Sequence, residues 1–343
     1  CSGYFSVDGA NYFGLGGQGY VLRGKASWGS VVLLADNDGK MVSSSGWLVT
    51  KVYDSDLQRY WIIQIPNQVG YFGAQVGYFT AVFEGEPNSF YGQEGQGYVV
   101  RGKMPYGNGV LLADNDGRLA VTTGWLVTDR YDGRLERYYL DFSCFGHIGA
   151  HVGMIDAAGQ KYYGLPDVGY VMRNATSPVD GYWYDANNDG ALSLVSTRAI
   201  RLGNGTYLWI DASGRENRQD AINRLMAAAD SVLGVPYVWL GRYPEDGGMD
   251  CASFTYWCYR QLGITIDFET YGQVYDGRGV SLSEAAPGDL ILMYFSSPGV
   301  PEHVVMYAGN GMIYEEPTFG GHCQYVPLSA KNAGYVVVRR ILA

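Results

Sequence analysis

The chain has 343 residues, 47% of them hydrophobic and only 17% charged, with a net charge of −10. That length supports two or three domains with cores of their own, and the apolar content excludes a disordered chain. The acidic balance leaves no basic surface to neutralise phosphates, so nucleic acid is excluded as a partner.

No apolar run approaches the ~18 residues of a membrane span, and no signal peptide is visible in the sequence as numbered. The first half is built on a duplication. "GQGYVLRGK" returns as "GQGYVVRGK", "VLLADNDG" returns unchanged, and "GWLVT" returns with it. At a constant offset of 78 residues, 27 of the 46 positions from 16 to 61 are identical to those from 94 to 139. That is a true internal repeat. A third, diverged copy runs through "VGYVMRN", "DANNDG" and "GTYLWID" in 168–211. The 49 glycines and 30 tyrosines, with Asp-Gly and Asn-Gly turns between short apolar stretches, predict stacked β-hairpins. The expected boundaries are 1–78, 79–156 and a degenerate 157–213.

Trp47 and Trp125 follow glycine in the "GW" units, and Tyr60 and Tyr138 lie in the next strands. These units resemble the Gly-Trp/Tyr-Tyr cell-wall-binding repeats of Gram-positive surface proteins, the choline- and glucan-binding hairpin type. The resemblance implies that Trp47, Trp125, Tyr60 and Tyr138 grip a wall polysaccharide or teichoic acid by stacking or cation–π contacts. The competing expectation is that these aromatics are the core of the array. His147 and His151 sit at i, i+4, but helical spacing has no meaning in hairpins, and no metal site is expected there. "ADNDG" (Asp36, Asp38, Asp114, Asp116) opens like a calcium loop but lacks the downstream glutamate, so it reads as a turn.

The texture changes near residue 214. "RQDAINRLMAAADSVLG" places Ile222, Leu225, Met226, Ala229 and Leu233 on one face and stops at Gly234, which predicts an amphipathic helix. A second helix is predicted in "DCASFTYWCYRQLG", and strands at 290–295, 303–309, 312–317 and 335–341. Helices followed by an antiparallel meander make 214–343 an α+β domain.

Five cysteines, an odd number at unpatterned spacings, read neither as a disulfide framework nor as a zinc site. Cys251 opens the second helix, where free N–H groups and the helix dipole stabilise a thiolate and thiol pKa values of ~3.5–7.5 occur. Cys258 is in phase with Phe254 and Leu262 and reads as packing. A nucleophilic thiol needs a base and a group that fixes the base's tautomer. His303 opens a strand and alternates with Val305 and Tyr307, on a face expected to look toward the Cys251 helix. Glu315 shares that face if the "GNG" turn takes three residues; a two-residue turn brings Tyr314 and Glu316 there instead. His322, in a glycine-rich loop, is a further candidate.

"PYVWLG…MDCASF…PGDL…HVVMYAGNGMIYEEP" resembles the NlpC-type, papain-like cysteine peptidases that cut bacterial peptidoglycan stem peptides, over residues 218–343. The resemblance implies an α+β papain-like catalytic domain after the all-β repeat region. It implies Cys251 as nucleophile, His303 as base and Glu315, twelve positions on, as the tautomer-setting residue, in an "E-A-P" context that here reads "EEP". Tyr237 is implied beside the nucleophile as an oxyanion stabiliser, and Asp250 as a contact for polar groups of the stem peptide. The family's "DCSGF" has become "DCASF", so Ala252 stands where a serine helps hold substrate, and two extra residues precede Cys251. No metal or organic cofactor is implied. The expectation is a secreted or surface endopeptidase of a Gram-positive-type bacterium, cleaving the D-γ-glutamyl–diamino acid bond. The alternatives are an N-acetylmuramoyl-L-alanine amidase or acyltransferase on the same fold, and a wall-binding protein with an inactive catalytic domain.

Overall fold

A computed structural model describes residues 2–343, so Cys1 lies outside the described residues. The chain divides into two compact units. One takes the residues up to Asn174 together with Ala186–Leu192; the other takes Ala175–Asp185 and Ser193–Ala343. The stretch 157–213 is therefore shared between them.

In the first unit each copy of the repeat forms a five-stranded antiparallel sheet. In the first copy the strands stand in the order Gly24–Trp28, Val31–Ala35, Phe72–Gln75, Gln58–Gln64, Gly46–Thr50. The second copy repeats that order with Gly102–Tyr106, Gly109–Ala113, His147–His151, Glu136–Cys144 and Gly124–Thr128. A two-stranded hairpin precedes each sheet, Gly3–Val7 with Ala10–Gly14 and Gly77–Phe83 with Glu86–Gly92. This corrects the expected stack of sequential hairpins, because the last strand of each copy inserts between its second and fourth.

The insertion buries Val31–Ala35 on both faces, Val31, Leu33 and Ala35 in one cluster and Val32 and Leu34 in another. A strand buried on both sides reads as a continuous apolar run, which is what "VVLLA" is. The "ADNDG" segments are turns. Asp36 Oδ1 accepts the N–H groups of Asp38 and Lys40, and Asp114 Oδ1 those of Asp116 and Arg118, all at 2.9 Å. Such local side-chain acceptance is why Asp opens turns.

The aromatics expected at a wall ligand divide sharply. Tyr60 and Tyr138 are fully buried and belong to the core. Trp47 is half-buried, its ring 5.0 Å from Trp61 and 4.7 Å from Phe90, and its Nε1–H donates to the Val82 carbonyl. Trp125 is 36% exposed, with the Arg137 guanidinium 4.1 Å from its ring. His147 stacks on Tyr78 at 3.8 Å while His151 Nδ1 lies 2.6 Å from Asp141 Oδ2. The two histidines have separate partners, and no group of metal-ligating side chains occurs among the described residues.

In the second unit, helix α1 (Arg218–Ser231) is capped by Asn217, whose side chain accepts the Asp220 N–H, and buries Ala221, Ile222, Leu225 and Ala229. Leu233, expected on that face, lies past the last helical residue and is exposed. Helix α2 (Cys251–Arg260) and the short α3 (Thr270–Gln273) follow. Then comes a six-stranded sheet in the order Arg278–Val280, Val336–Arg340, Leu290–Ser297, Val300–Gly309, Met312–Glu315, Gln324–Pro327. Leu290, Leu292, Val304, Met306 and Tyr314 share one core with α1 and α2, and Ile291, Met293, Val305, Ile313 and Val338 form a second cluster. Among the described residues no helix is long and apolar enough to cross a membrane.

Candidate active site

Cys251 is the first residue of α2, and Asp250 caps that helix. Asp250 Oδ1 accepts the N–H groups of Ala252 at 3.1 Å and Ser253 at 2.8 Å, while Ser253 Oγ accepts the Asp250 N–H at 2.8 Å. This reciprocal box is worth about 1 kcal/mol for the cap alone. Asp250 Oδ2 accepts the Leu240 N–H at 2.9 Å, which ties the loop after Tyr237 to the helix. Asp250 is 3% exposed. Its carboxylate is thus engaged in holding the start of the Cys251 helix and the loop before it.

The cap also changes the resting state of the thiol. The helix-terminal N–H groups are already engaged by a carboxylate, and the thiol is buried. Burial pushes the Cys251 thiol up to about 12, aided by the Asp250 charge and opposed by the N–H groups of Val304, Ala252 and Cys251 itself. Burial thus outweighs the pull of the helix-terminal N–H groups, on which the expectation of a stabilised thiolate rested, and favours the protonated thiol. Cys258 is completely buried and packs with Phe254 and Leu262, as its phase predicts.

The base candidate is on the strand that passes the thiol. His303 pairs with Met293 across the sheet. It alternates with Val304 and Met306, which are the residues packed on the helical core. The expected facing is therefore reversed: Val304, not His303, looks into that core. The Val304 N–H meets the Cys251 sulfur, so the thiol sits at the residue that follows His303 on the strand.

His303 Nε2 lies 2.9 Å from Glu315 Oε2, and Glu315 is fully buried. The face they share depends on an irregularity in the turn. Asn310 and Gly311, both at positive φ, make a two-residue connection, but the register slips between Tyr307 and Gly309. The extra residue, Ala308, restores the parity a three-residue turn would have given. Tyr314 pairs with Met306 instead, and its Oη donates to Asp230 Oδ1 at 2.6 Å. It is thereby removed from the place of third catalytic residue. Glu316 is buried with neither carboxylate oxygen hydrogen-bonded.

Two residues around Glu315 were not foreseen. Gln324 is paired directly opposite Glu315, and its Nε2 donates to Glu315 Oε1 at 2.8 Å. Lys331 Nζ reaches the same oxygen at 2.5 Å. Burial alone would raise the Glu315 carboxyl, but the bonds from His303, Lys331 and Gln324, with the Lys331 charge, hold it down at about 2. A carboxylate can only accept. His303 Nε2 must then carry the proton, which leaves Nδ1 as the basic nitrogen.

Tyr237 is near enough to the thiol for its hydroxyl to feel the sulfur's charge. Its N–H donates to the Gly321 carbonyl at 2.9 Å, and its ring is 5.1 Å from Phe319. Burial, then the charges of Cys251, Asp250 and Glu316, push its hydroxyl up to about 12, so it stays a hydrogen-bond donor. His322 is exposed and takes part only through its backbone, bridging to Pro236.

Residues 234–340 match the profile of the NlpC/P60 family. This segment is an NlpC/P60 domain, of a cysteine peptidase family. The chain is 30% identical over 111 residues to a probable endopeptidase of Mycobacterium tuberculosis, a match covering 32% of this chain and 27% of that protein. It is also 30% identical over 145 residues to a gamma-D-glutamyl-L-lysine dipeptidyl-peptidase of Bacillus cereus, covering 40% and 42% of the two chains. The solved peptidoglycan hydrolase RipB of Mycobacterium tuberculosis is 29% identical, with a TM-score of 0.33, over 37% of this chain and 67% of that one. The chain thus spans about a quarter to two-fifths of the length of these curated relatives. The NlpC/P60 match takes in Tyr237, Asp250, Cys251, His303 and Glu315, with Gln324 and Lys331. The repeats of the first half lie outside it.

Proposed function

We propose that this chain is a peptidoglycan hydrolase, a cysteine endopeptidase whose nucleophile is Cys251, base His303 and orienter Glu315. The observation that carries the reading is the buried Glu315 carboxylate on His303 Nε2, on the strand whose next N–H meets the Cys251 sulfur. In this reading His303 Nδ1 takes the thiol proton as the sulfur bonds to a stem-peptide carbonyl carbon. The oxyanion is met by Tyr237 Oη and the Cys251 N–H. The C–N bond breaks as His303 returns the proton to the leaving amine, and water then hydrolyses the thioester. The bond we favour is that between D-γ-glutamate and the diamino acid, the one named for the Bacillus cereus relative.

The repeats would hold the enzyme on the envelope and raise the local substrate concentration. With Tyr60 and Tyr138 buried, a wall polysaccharide or teichoic acid would meet Trp125, the one of the four candidates that is exposed. A surface or secreted location follows from the substrate.

Mass spectrometry of peptidoglycan fragments incubated with the protein and with Cys251→Ala tests this reading. Products with a new diamino-acid amine, absent with the variant, are expected. A free L-alanine amine on the released stem would move the answer to an amidase. Retained wall binding with no product would make the chain a binding protein.

A further inference from the structure

Glu315 is an unusual orienter because it is wholly buried, 0% exposed, and still ionised. An unpaired buried carboxylate costs several kcal/mol and escapes that cost by taking up a proton. Protonation at this position would have a chemical consequence. A neutral Glu315 would donate its O–H to His303 Nε2, the ring's proton would move to Nδ1, and Nδ1 could no longer accept the Cys251 proton. The active tautomer therefore depends on whatever keeps Glu315 charged.

Several groups face that carboxylate. His303 reaches Oε2 from the strand Val300–Gly309, and Gln324 reaches Oε1 from the strand Gln324–Pro327. Lys331 reaches Oε1 at 2.5 Å from just past the turn Leu328–Ala330. Glu316 follows on the same chain, and Cys323 precedes Gln324; both feel the Glu315 charge. Gln324 is neutral, and His303 is the group being oriented. Among the described residues Lys331 is the one lysine or arginine side chain on Glu315, and its side chain is 18% exposed.

We propose that Lys331 is a positioning residue for this reaction, holding Glu315 ionised and aimed so that His303 keeps its proton on Nε2. The proposal rests on the catalytic reading of Cys251, His303 and Glu315. It assigns Lys331 no contact with substrate. Its effect passes through two hydrogen bonds to the base.

The test compares Lys331→Met and Lys331→Arg with the wild-type full chain in two measurements. The first is nitrogen NMR of the His303 ring, which reads the tautomer without turnover. The wild type is expected to show Nε2–H across neutral pH, Lys331→Met a shift toward Nδ1–H, and Lys331→Arg the wild-type pattern. The second is the pH–rate profile on a purified stem peptide. General-base assistance contributes ~10²–10⁴-fold, so Lys331→Met should lose about 10-fold or more in kcat with little change in KM. Its acid limb should move to higher pH, and Lys331→Arg should restore both. Should the methionine variant fail to fold, Lys331→Gln keeps a polar tip without charge and carries the same expectations. An unchanged tautomer and an unmoved acid limb would overturn the proposal. A wild type that cleaves no stem peptide would sink the catalytic reading alone, since the ring still reports on Lys331.

Discussion

Asp250 both fixes and restrains Cys251: its carboxylate caps the helix that Cys251 begins, and the same charge raises the thiol's pKa. Asp250→Asn separates the two effects. The amide oxygen can keep the cap, but its NH₂ cannot accept the Leu240 N–H that Oδ2 now takes. A lost bond of this kind costs ~1–3 kcal/mol, which chemical denaturation would register. In a His303→Ala background the thiol should then react with iodoacetamide faster at pH 7–8, because the charge opposing its ionisation is gone. Equal alkylation rates with and without the Asp250 charge would contradict the electrostatic coupling.

Glu315 gives an acid-side prediction. Its pKa falls from the ordinary 4.5 to about 2 in the folded protein. The stabilisation is therefore complete above the unfolded value and disappears as pH drops through the folded one. The difference corresponds to roughly 3 kcal/mol. Glu315→Gln should be less stable than the wild type at pH 7, and the gap should close as both are titrated toward pH 2. A gap that stays constant with pH would mean that the glutamine is losing packing, not charge.

The catalytic candidates were legible because their order and spacing are linear. "DCASF", "HVVMY" and "EEP" are local strings, and Cys258's phase on α2 was enough to set it apart from Cys251. The facing of His303 was misread because alternation says which residues share a face but not which face meets the helices. Lys331 could not be read at all. It follows Glu315 by a strand and a turn, and no spacing rule marks the lysine that folds back onto a buried carboxylate. Gln324 carried a weak signal, as the residue a hairpin register could set opposite Glu315. In the repeats, hairpin signals report only sequential neighbours. They gave the strands but not the insertion of Phe72–Gln75 between Val31–Ala35 and Gln58–Gln64. The same insertion places Tyr60 inside, since it closes the sheet around the cluster of Val32, Leu34 and Ile62.

Glu316 carries the opposite sign to Glu315. Burial, then the charges of Asp250 and Glu315, push its carboxyl up to about 8 against the pull of the Cys323 N–H. That N–H donates to the Val235 carbonyl at 2.8 Å, and neither oxygen of Glu316 has a hydrogen-bond partner. The unfolded chain loses this proton near the ordinary 4.5, so the folded state loses stability as pH rises from there to about 8. At pH 7 the loss is roughly 3 kcal/mol. Glu316→Gln removes the titration, so it should raise Tm at pH 8 and lose that advantage as pH falls toward 4.5. An identical pH dependence of Tm in both proteins would assign the alkaline loss to another group.

The repeats offer an internal control at Tyr60 and Tyr138, equivalent positions 78 residues apart and both fully buried. Tyr60 Oη donates to Asp54, which also pairs with Lys25. In the second copy Asp132 is engaged by Lys103 and by the Arg134 N–H, and the Tyr138 hydroxyl is left without a partner. One ring therefore carries a charge-assisted bond, worth ~1.5–3 kcal/mol, and the other an unsatisfied hydroxyl that costs ~1–3 kcal/mol. Tyr60→Phe should destabilise its sheet by about 2 kcal/mol, whereas Tyr138→Phe should be neutral or stabilising. Hydrogen exchange at the Val31–Ala35 and Gly109–Ala113 amides reads the two sheets separately within the full chain. Protection lost equally in both would show that the hydroxyls, despite their different partners, contribute the same energy.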